Sequence, residues 1–188
     1  GGVAPDDSRV TDEDTAGVTV VAPQIGVAKT VIEGPSGNGD GTYTLTYRIR
    51  VANAGETRLD DIQVTDDLSQ TFAGVRSFRI DDVVSADLTV NPAYDGRPSG
   101  SIELLAGTDL LEFGQRGDIE VTVTVDPGAN LGPYENLALA TGTSPGGHDV
   151  DDASDSGTDA DPTAPNPDEP GDTGGTDDPV PVEFPPIA

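Results

Sequence analysis

The chain has 188 residues, room for one domain with a proper core plus extensions, or at most two small domains. Its 9 basic residues against 35 acidic ones give a net charge of −26, which removes the basic face that nucleic acid or an anionic membrane surface would need. The absence of cysteine excludes disulfides, thiolate metal sites and cysteine nucleophiles together.

The chain contains no methionine and starts Gly1-Gly2, so it is expected to be a processed or excised piece. It has no apolar run long enough to cross a membrane, and no membrane insertion is expected. An acidic, lysine-poor composition also fits a protein from a salty habitat, where ions screen self-repulsion.

Period-2 alternation is frequent along the chain and helical periodicity is nearly absent. The leading segment, residues 1–23, has an acidic patch (Asp6, Asp7, Asp12, Glu13, Asp14) followed by a strand-like run at residues 17–21. Weak strands are expected at residues 25–32, 61–65, 75–80, 101–105, 110–113 and 136–141. The clearest strand is residues 42–51, with Tyr43, Leu45, Tyr47, Ile49 and Val51 inward and threonines and arginines outward. Residues 118–125 repeat this pattern with Ile119, Val121, Val123 and Val125, and the two strands should wall one core.

Glycine-, proline- and asparagine-rich turns punctuate these runs, among them residues 36–41, Asn53-Ala54-Gly55, Asp126-Pro127-Gly128 and Ser144-Pro145-Gly146-Gly147. The pattern predicts an all-β fold, an immunoglobulin-like antiparallel β-sandwich over residues 24–147, with an acidic, loop-like C-terminal extension and flanking strands. Residues 148–179 read as an Asp-rich linker and residues 180–188 as a terminal strand leading to a next unit. Residues 17–21 and 180–184 lack an obvious partner, and an unpaired strand is a liability. Each is therefore expected to complete a sheet in a neighbouring copy.

The acidic run has two readings. A solvated linker is the usual meaning of such a stretch. Ordering about 30 residues would cost on the order of 30 to 60 kcal/mol of backbone entropy, and hard cations can offset that by drawing oxygen ligands together. On the second reading Asp149, Asp151, Asp152, Asp155, Asp159, Asp161, Asp168, Asp172, Asp177 and Asp178 bind Ca²⁺. An EF-hand does not fit: counted from Asp152, Gly157 falls at position 6 but Thr163 stands at position 12 in place of a bidentate glutamate. Asp12, Asp14, Asp60, Asp61, Asp66 and Asp67 form a second acidic set that either joins the first or serves ordinary turns.

Several motifs carry a resemblance: Lys29-Thr30-Val31, Val51-Ala52-Asn53-Ala54-Gly55 before Ile62-Gln63-Val64-Thr65-Asp66, Asn91-Pro92-Ala93-Tyr94-Asp95-Gly96, and Leu131-Gly132-Pro133-Tyr134-Glu135-Asn136. With the acidic run that follows, they resemble the conserved repeat domain of unknown function found in tandem in large bacterial and archaeal surface proteins. The resemblance implies a structural repeat unit of an extracellular fibre, stalk or biofilm-matrix filament at the cell surface, with copies of itself as partners. In that light Lys29, Asn136 and Asp66 resemble the lysine, asparagine and buried acid of surface sandwiches that form an internal isopeptide bond. The chemistry needs a neutral lysine and a protonated carboxyl, both obtainable by burial; a Lys29 pointing outward would forbid it.

No enzyme is expected. His148 is the single histidine, lies in a turn and has no nucleophile signature beside it. The alternative class is a ligand-binding adhesin module gripping a surface or glycan, which calls for an exposed aromatic patch. The candidate loops offer Tyr94 and Tyr134.

Overall fold

The computed structural model describes residues 22–160 and 177–186. The expected strand at residues 17–21 and the carboxylates Asp12, Asp14, Asp161, Asp168 and Asp172 lie outside the described residues.

The fold is an all-β sandwich built mainly of antiparallel strands. One sheet contains β1 (Ile25–Gly37), β2 (Tyr43–Asn53), β6 (Arg116–Asp126) and β4 (Ser77–Val84), closed at its other edge by the two-residue β10 (Asp155–Ser156). The second sheet runs β5 (Asp109–Leu111), β3 (Leu59–Asp66), β8 (Ala138–Thr143) and β9 (Asp149–Ala153). A further pair joins β7 (Tyr134–Asn136), which leads directly into β8, to β11 (Val180–Val182). One helical turn, α1 (Leu68–Thr71), was not expected from periodicity, because four residues are too few to show any.

The two clearest strands pair as antiparallel neighbours, with Leu45 opposite Val123 and Tyr47 opposite Val121. Their inward residues are buried, and the threonines on the other face form cross-strand hydroxyl pairs, Thr44 with Thr124 at 3.1 Å and Thr46 with Thr122 at 3.0 Å. On the same face Arg48 meets Glu120 and Arg50 meets Asp118, so alternation here separates an apolar layer from a paired-charge layer. Residues 101–105 form isolated bridges in place of a full strand, and the 136–141 run is split between β7 and β8.

The domain boundaries differ from the expected ones at the C-terminal side. The sandwich does not stop at residue 147: β9 and β10, taken from the acidic run, are the edges of its two sheets. The chain changes sheet at Ser154, whose backbone N–H donates to the Ala138 carbonyl and whose hydroxyl accepts from the Ala138 N–H. Nor is the strand at residues 180–182 left for a neighbouring copy. It pairs with β7 of its own chain, Val180 opposite Asn136 and Val182 opposite Tyr134. An unpaired edge close to an apolar pocket is satisfied most readily by the nearest strand, here one tethered to the same domain.

Phe184 completes this docking. It is buried against Tyr43, Phe72 and Tyr134, with ring centroids 5.1, 6.3 and 5.8 Å away, and its N–H donates to the Leu131 carbonyl. Gly132 makes room for this segment: its φ is +107° and an added Cβ would lie 2.7 Å from the Val182 carbonyl oxygen. Phe184→Ala should therefore lower unfolding free energy by about 3 to 5 kcal/mol, read from urea midpoints. Because the contact is internal, the wild-type midpoint should not move with protein concentration; a midpoint that rises with concentration would restore the intersubunit reading.

Candidate functional site

Among the described residues one ion pair has both side chains fully buried. Ile25, Val27, Lys29 and Val31 alternate onto the inward face of β1, so the chain's single lysine enters the interior with its valine neighbours. Lys29 is 0% exposed, Asp66 1% and Asn136 0%. Burial of this kind demands a partner, and Lys29 Nζ lies 2.5 Å from Asp66 Oδ2.

Each group arrives on a separate element. Asp66 ends β3, where its N–H donates to the Ile102 carbonyl and its own carbonyl accepts from the Tyr94 hydroxyl at 3.3 Å. The register of β3 with β8 places Asp66 opposite Ala138. Asn136, two residues before Ala138, shares the inward face with Tyr134 and Ala140. Next to Asp66, Asp67 N-caps α1 by accepting from the Gln70 N–H at 3.1 Å, the local chemistry of an Asp-x-x-Gln start. That turn carries Thr71, whose hydroxyl donates to Asn136 Oδ1 at 2.9 Å, and it sends Phe72 into the core. Tyr47 supplies a wall, its ring centroid 4.7 Å from Lys29 Nζ.

The electrostatics favour neutral forms. Burial pushes the Lys29 pKa down, with Asp66 opposing, and pushes the Asp66 pKa up, with Lys29 and Asn136 opposing. The proton between them is accordingly held by a pair in which neither charge is well solvated. Burial also raises the Tyr47 pKa, against the nearby Asn136 side chain, so the phenol stays protonated. Three buried polar atoms meet here without a well-formed hydrogen bond: Asp66 Oδ1, Asn136 Nδ2 and the Tyr47 hydroxyl. Such atoms are costly in a settled core. An amine, an amide and a carboxyl have thus been brought together in the dry interior, with the amide carbonyl held by a hydroxyl.

All three residues singled out for an isopeptide bond converge, and Lys29 points inward. Sequence reasoning did not assign Tyr47 or Thr71 to the site. Tyr47 was on the inward face of a clear strand, and Thr71 follows a readable capping sequence, Asp67-Leu68-Ser69-Gln70.

The acidic run behaves differently. Asp152 Oδ2 accepts from the Val27 N–H at 2.7 Å and Asp155 Oδ1 from the Asp178 N–H at 3.1 Å. Asp149 accepts from the Thr143 hydroxyl. Asp151, Asp159, Asp177 and Asp178 are exposed. Among the described residues no three acidic or histidine side chains are placed to hold one metal ion. In the second acidic set Asp60 pairs with Arg58, Asp66 with Lys29, and Asp67 caps α1, while Asp61 adopts φ +55° in a strand irregularity. Tyr94 and Tyr134 are buried and offer no adhesive patch; the most exposed aromatic is Phe113, at 66%.

No family model matches the chain and no curated protein is similar to it. Among solved structures, it is similar to a biomass-sensing module of a putative Rsgi2 protein from Clostridium thermocellum, described as resembling a family 3 carbohydrate-binding module. That match has 13% identity and TM-score 0.29, covering 57% of this chain and 67% of that one. The yeast delta-COP-I mu-homology domain, solved with a Dsl1 peptide, matches at 14% identity and TM-score 0.28, covering 69% of this chain and 53% of that one. A family 123 glycoside hydrolase from Clostridium perfringens matches at 10% identity and TM-score 0.26, covering 68% and 27%. Likeness at this level carries no functional argument. Among the described residues no helix is long and apolar enough to cross a membrane.

Asp152 gives the pH dependence of the edge that closes over β1. Burial, together with Asp155, Asp177 and Asp151, pushes its pKa up to about 6, against the Val27 N–H bond. A carboxyl whose folded pKa is raised binds its proton more tightly in the folded state, so its contribution is full below the unfolded pKa and is lost as pH rises through the folded one. Urea stability should fall between pH 4 and pH 7, by about 1 to 3 kcal/mol from this group. Asp152→Asn should remove most of the difference between those two pH values; an unchanged pH slope in the variant would assign it to general charge repulsion.

Proposed function

We propose that this chain is a self-cross-linking structural module of an extracellular fibre or stalk, in which Lys29 and Asn136 join in an isopeptide bond assisted by Asp66. The observation that supports it is the set of orphaned polar atoms around the buried Lys29–Asp66 contact. In the proposed reaction the neutral Lys29 Nζ attacks Asn136 Cγ. The Nζ–Cγ bond forms, the Cγ–Nδ2 bond breaks and ammonia leaves. Asp66 takes the proton from Nζ on Oδ2 and gives one to Nδ2 from Oδ1, ending protonated as it began. The step needs no cofactor and happens once per chain, so it is a maturation step, not turnover.

The bond would tie β1 of one sheet to β7, which leads into β8 of the other. It closes a loop of 136 − 29 = 107 positions, for which the chain-entropy model gives about 4 to 5 kcal/mol of stabilisation. Under tension the chain between the two residues would be shielded from extension, which suits a load-bearing element. Intact mass should lie about 17 Da, one ammonia, below the sequence mass. Lys29→Arg, Asn136→Ala and Asp66→Ala should each restore the full sequence mass of the variant. A wild-type mass without the loss would end the proposal.

Calcium belongs to the same reading at the acidic run. The exposed Asp151, Asp159, Asp177 and Asp178, with Asp149, Asp161, Asp168 and Asp172, are the carboxylates through which Ca²⁺ would stiffen the path between β10 and β11. What supports it is the density of like charge in that stretch. Asp152 and Asp155 are occupied by backbone N–H groups and would stay structural. Saturating Ca²⁺ should stabilise the fold by mass action, by about 2.7 kcal/mol at a hundredfold excess over Kd, and so raise the thermal midpoint; identical midpoints in Ca²⁺ and in EDTA would remove the ion from the account.

A further inference from the structure

We infer that Thr71 is a catalytic residue of the cross-linking step, its hydroxyl holding Asn136 Oδ1 as the oxygen on which negative charge develops. This rests on the self-cross-linking reading and adds a residue to it.

Attack on an amide carbon moves an electron pair onto the carbonyl oxygen, and a donor already aimed at that oxygen stabilises the tetrahedral state with little reorganisation. Thr71 Oγ1 lies 2.9 Å from Oδ1 in a buried contact. Its other acceptor, the Asp67 carbonyl, is 3.4 Å away, so the single hydroxyl proton is better placed toward Asn136. Low dielectric strengthens the contact, since Asn136 is fully buried and Thr71 nearly so.

The same bond fixes the sense of the amide. With Oδ1 held by Thr71, Nδ2 is the atom left without a hydrogen-bond partner. Asp66 Oδ1 is likewise unpartnered, and the Asn136 side chain lies close enough to act on the Asp66 carboxyl. The leaving nitrogen and the oxygen that must protonate it are therefore the two atoms without a well-formed hydrogen bond, while the oxygen that must gain charge is the one already bonded. Thr71 comes to this position because Asp67 caps a four-residue turn and Leu68 and Phe72 anchor that turn on either side in the core. The turn is thus the support of a donor.

The test follows bond formation in freshly translated full-length chain by intact mass, with folding monitored in parallel by circular dichroism. Wild type should complete the ammonia loss. Thr71→Val, close to isosteric and without a hydroxyl, should fold and lose ammonia about 100-fold more slowly, and Thr71→Ser should recover most of the rate. Thr71→Ala is a second variant should the valine disturb packing. In wild-type product, the Thr71 hydroxyl proton should remain bonded to the new amide carbonyl and appear as a slowly exchanging resonance. A folded valine or alanine variant that cross-links within about threefold of the wild-type rate overturns the role of Thr71 and leaves the cross-link standing. An exchange-averaged hydroxyl in the product would also count against Thr71. A wild-type chain that never loses ammonia overturns the cross-linking reading itself.

Discussion

The structure depends on keeping water away from one lysine and one aspartate. A buried ion pair is an expensive way to hold a sandwich together, since removing both charges from water costs several kcal/mol per ion and apolar residues of equal volume are often at least as stabilising. Lys29 and Asp66 are nonetheless fully enclosed. The surrounding elements share the task of sealing them: Tyr47 lies against the amine, Tyr94 bonds the Asp66 backbone, and α1 closes over Asn136 through Thr71. Burial favours the neutral form of each group, lowering the lysine pKa and raising that of the carboxyl, while each opposes the shift of the other.

The acidic C-terminal region belongs to that seal. Gly157 donates to the Lys29 carbonyl, Asp152 accepts from the Val27 N–H, and β10 runs parallel to β1 with Ser156 opposite Lys29. These bonds satisfy the backbone of the strand that carries the lysine, which would otherwise be a sheet edge open to water. From the other side β11 sets Val180 opposite Asn136, and Phe184 joins Phe72 and Tyr134 in the cluster beneath α1. A region with the composition of a disordered tail thus contributes the last covering strands of the core.

The resemblance to cross-linked surface sandwiches singles out Lys29, Asn136 and Asp66, and side-chain alternation is consistent with where two of them point. Lys29 lies in register with Ile25, Val27 and Val31, and a period of two sends all four to one face. Asn136 stands in the same relation to Tyr134 and Ala138. The inward faces of β2 and β6 follow directly from alternation, and both are buried. The acidic run misled because composition averages over it. Within residues 149–157 the carboxylates of Asp152 and Asp155 serve as acceptors for backbone N–H groups, a role that an aspartate count cannot separate from solvation or metal binding. A strand is legible at residues 180–184, of which 180–182 form β11, but alternation names no partner.

The sequence by itself determined which residues of the clear strands face inward and where the chain turns. Those properties are local, set by side-chain period and by turn chemistry within a few residues. Only the tertiary structure decided that Lys29, Asp66, Asn136 and Thr71 converge, that β10 and β11 belong to this domain, and that the acidic run splits into structural and exposed carboxylates. Proximity across 107 positions is set by which strands share hydrogen bonds and how two sheets stack, and the pKa shifts of Lys29 and Asp66 arise only once that stacking has buried both groups.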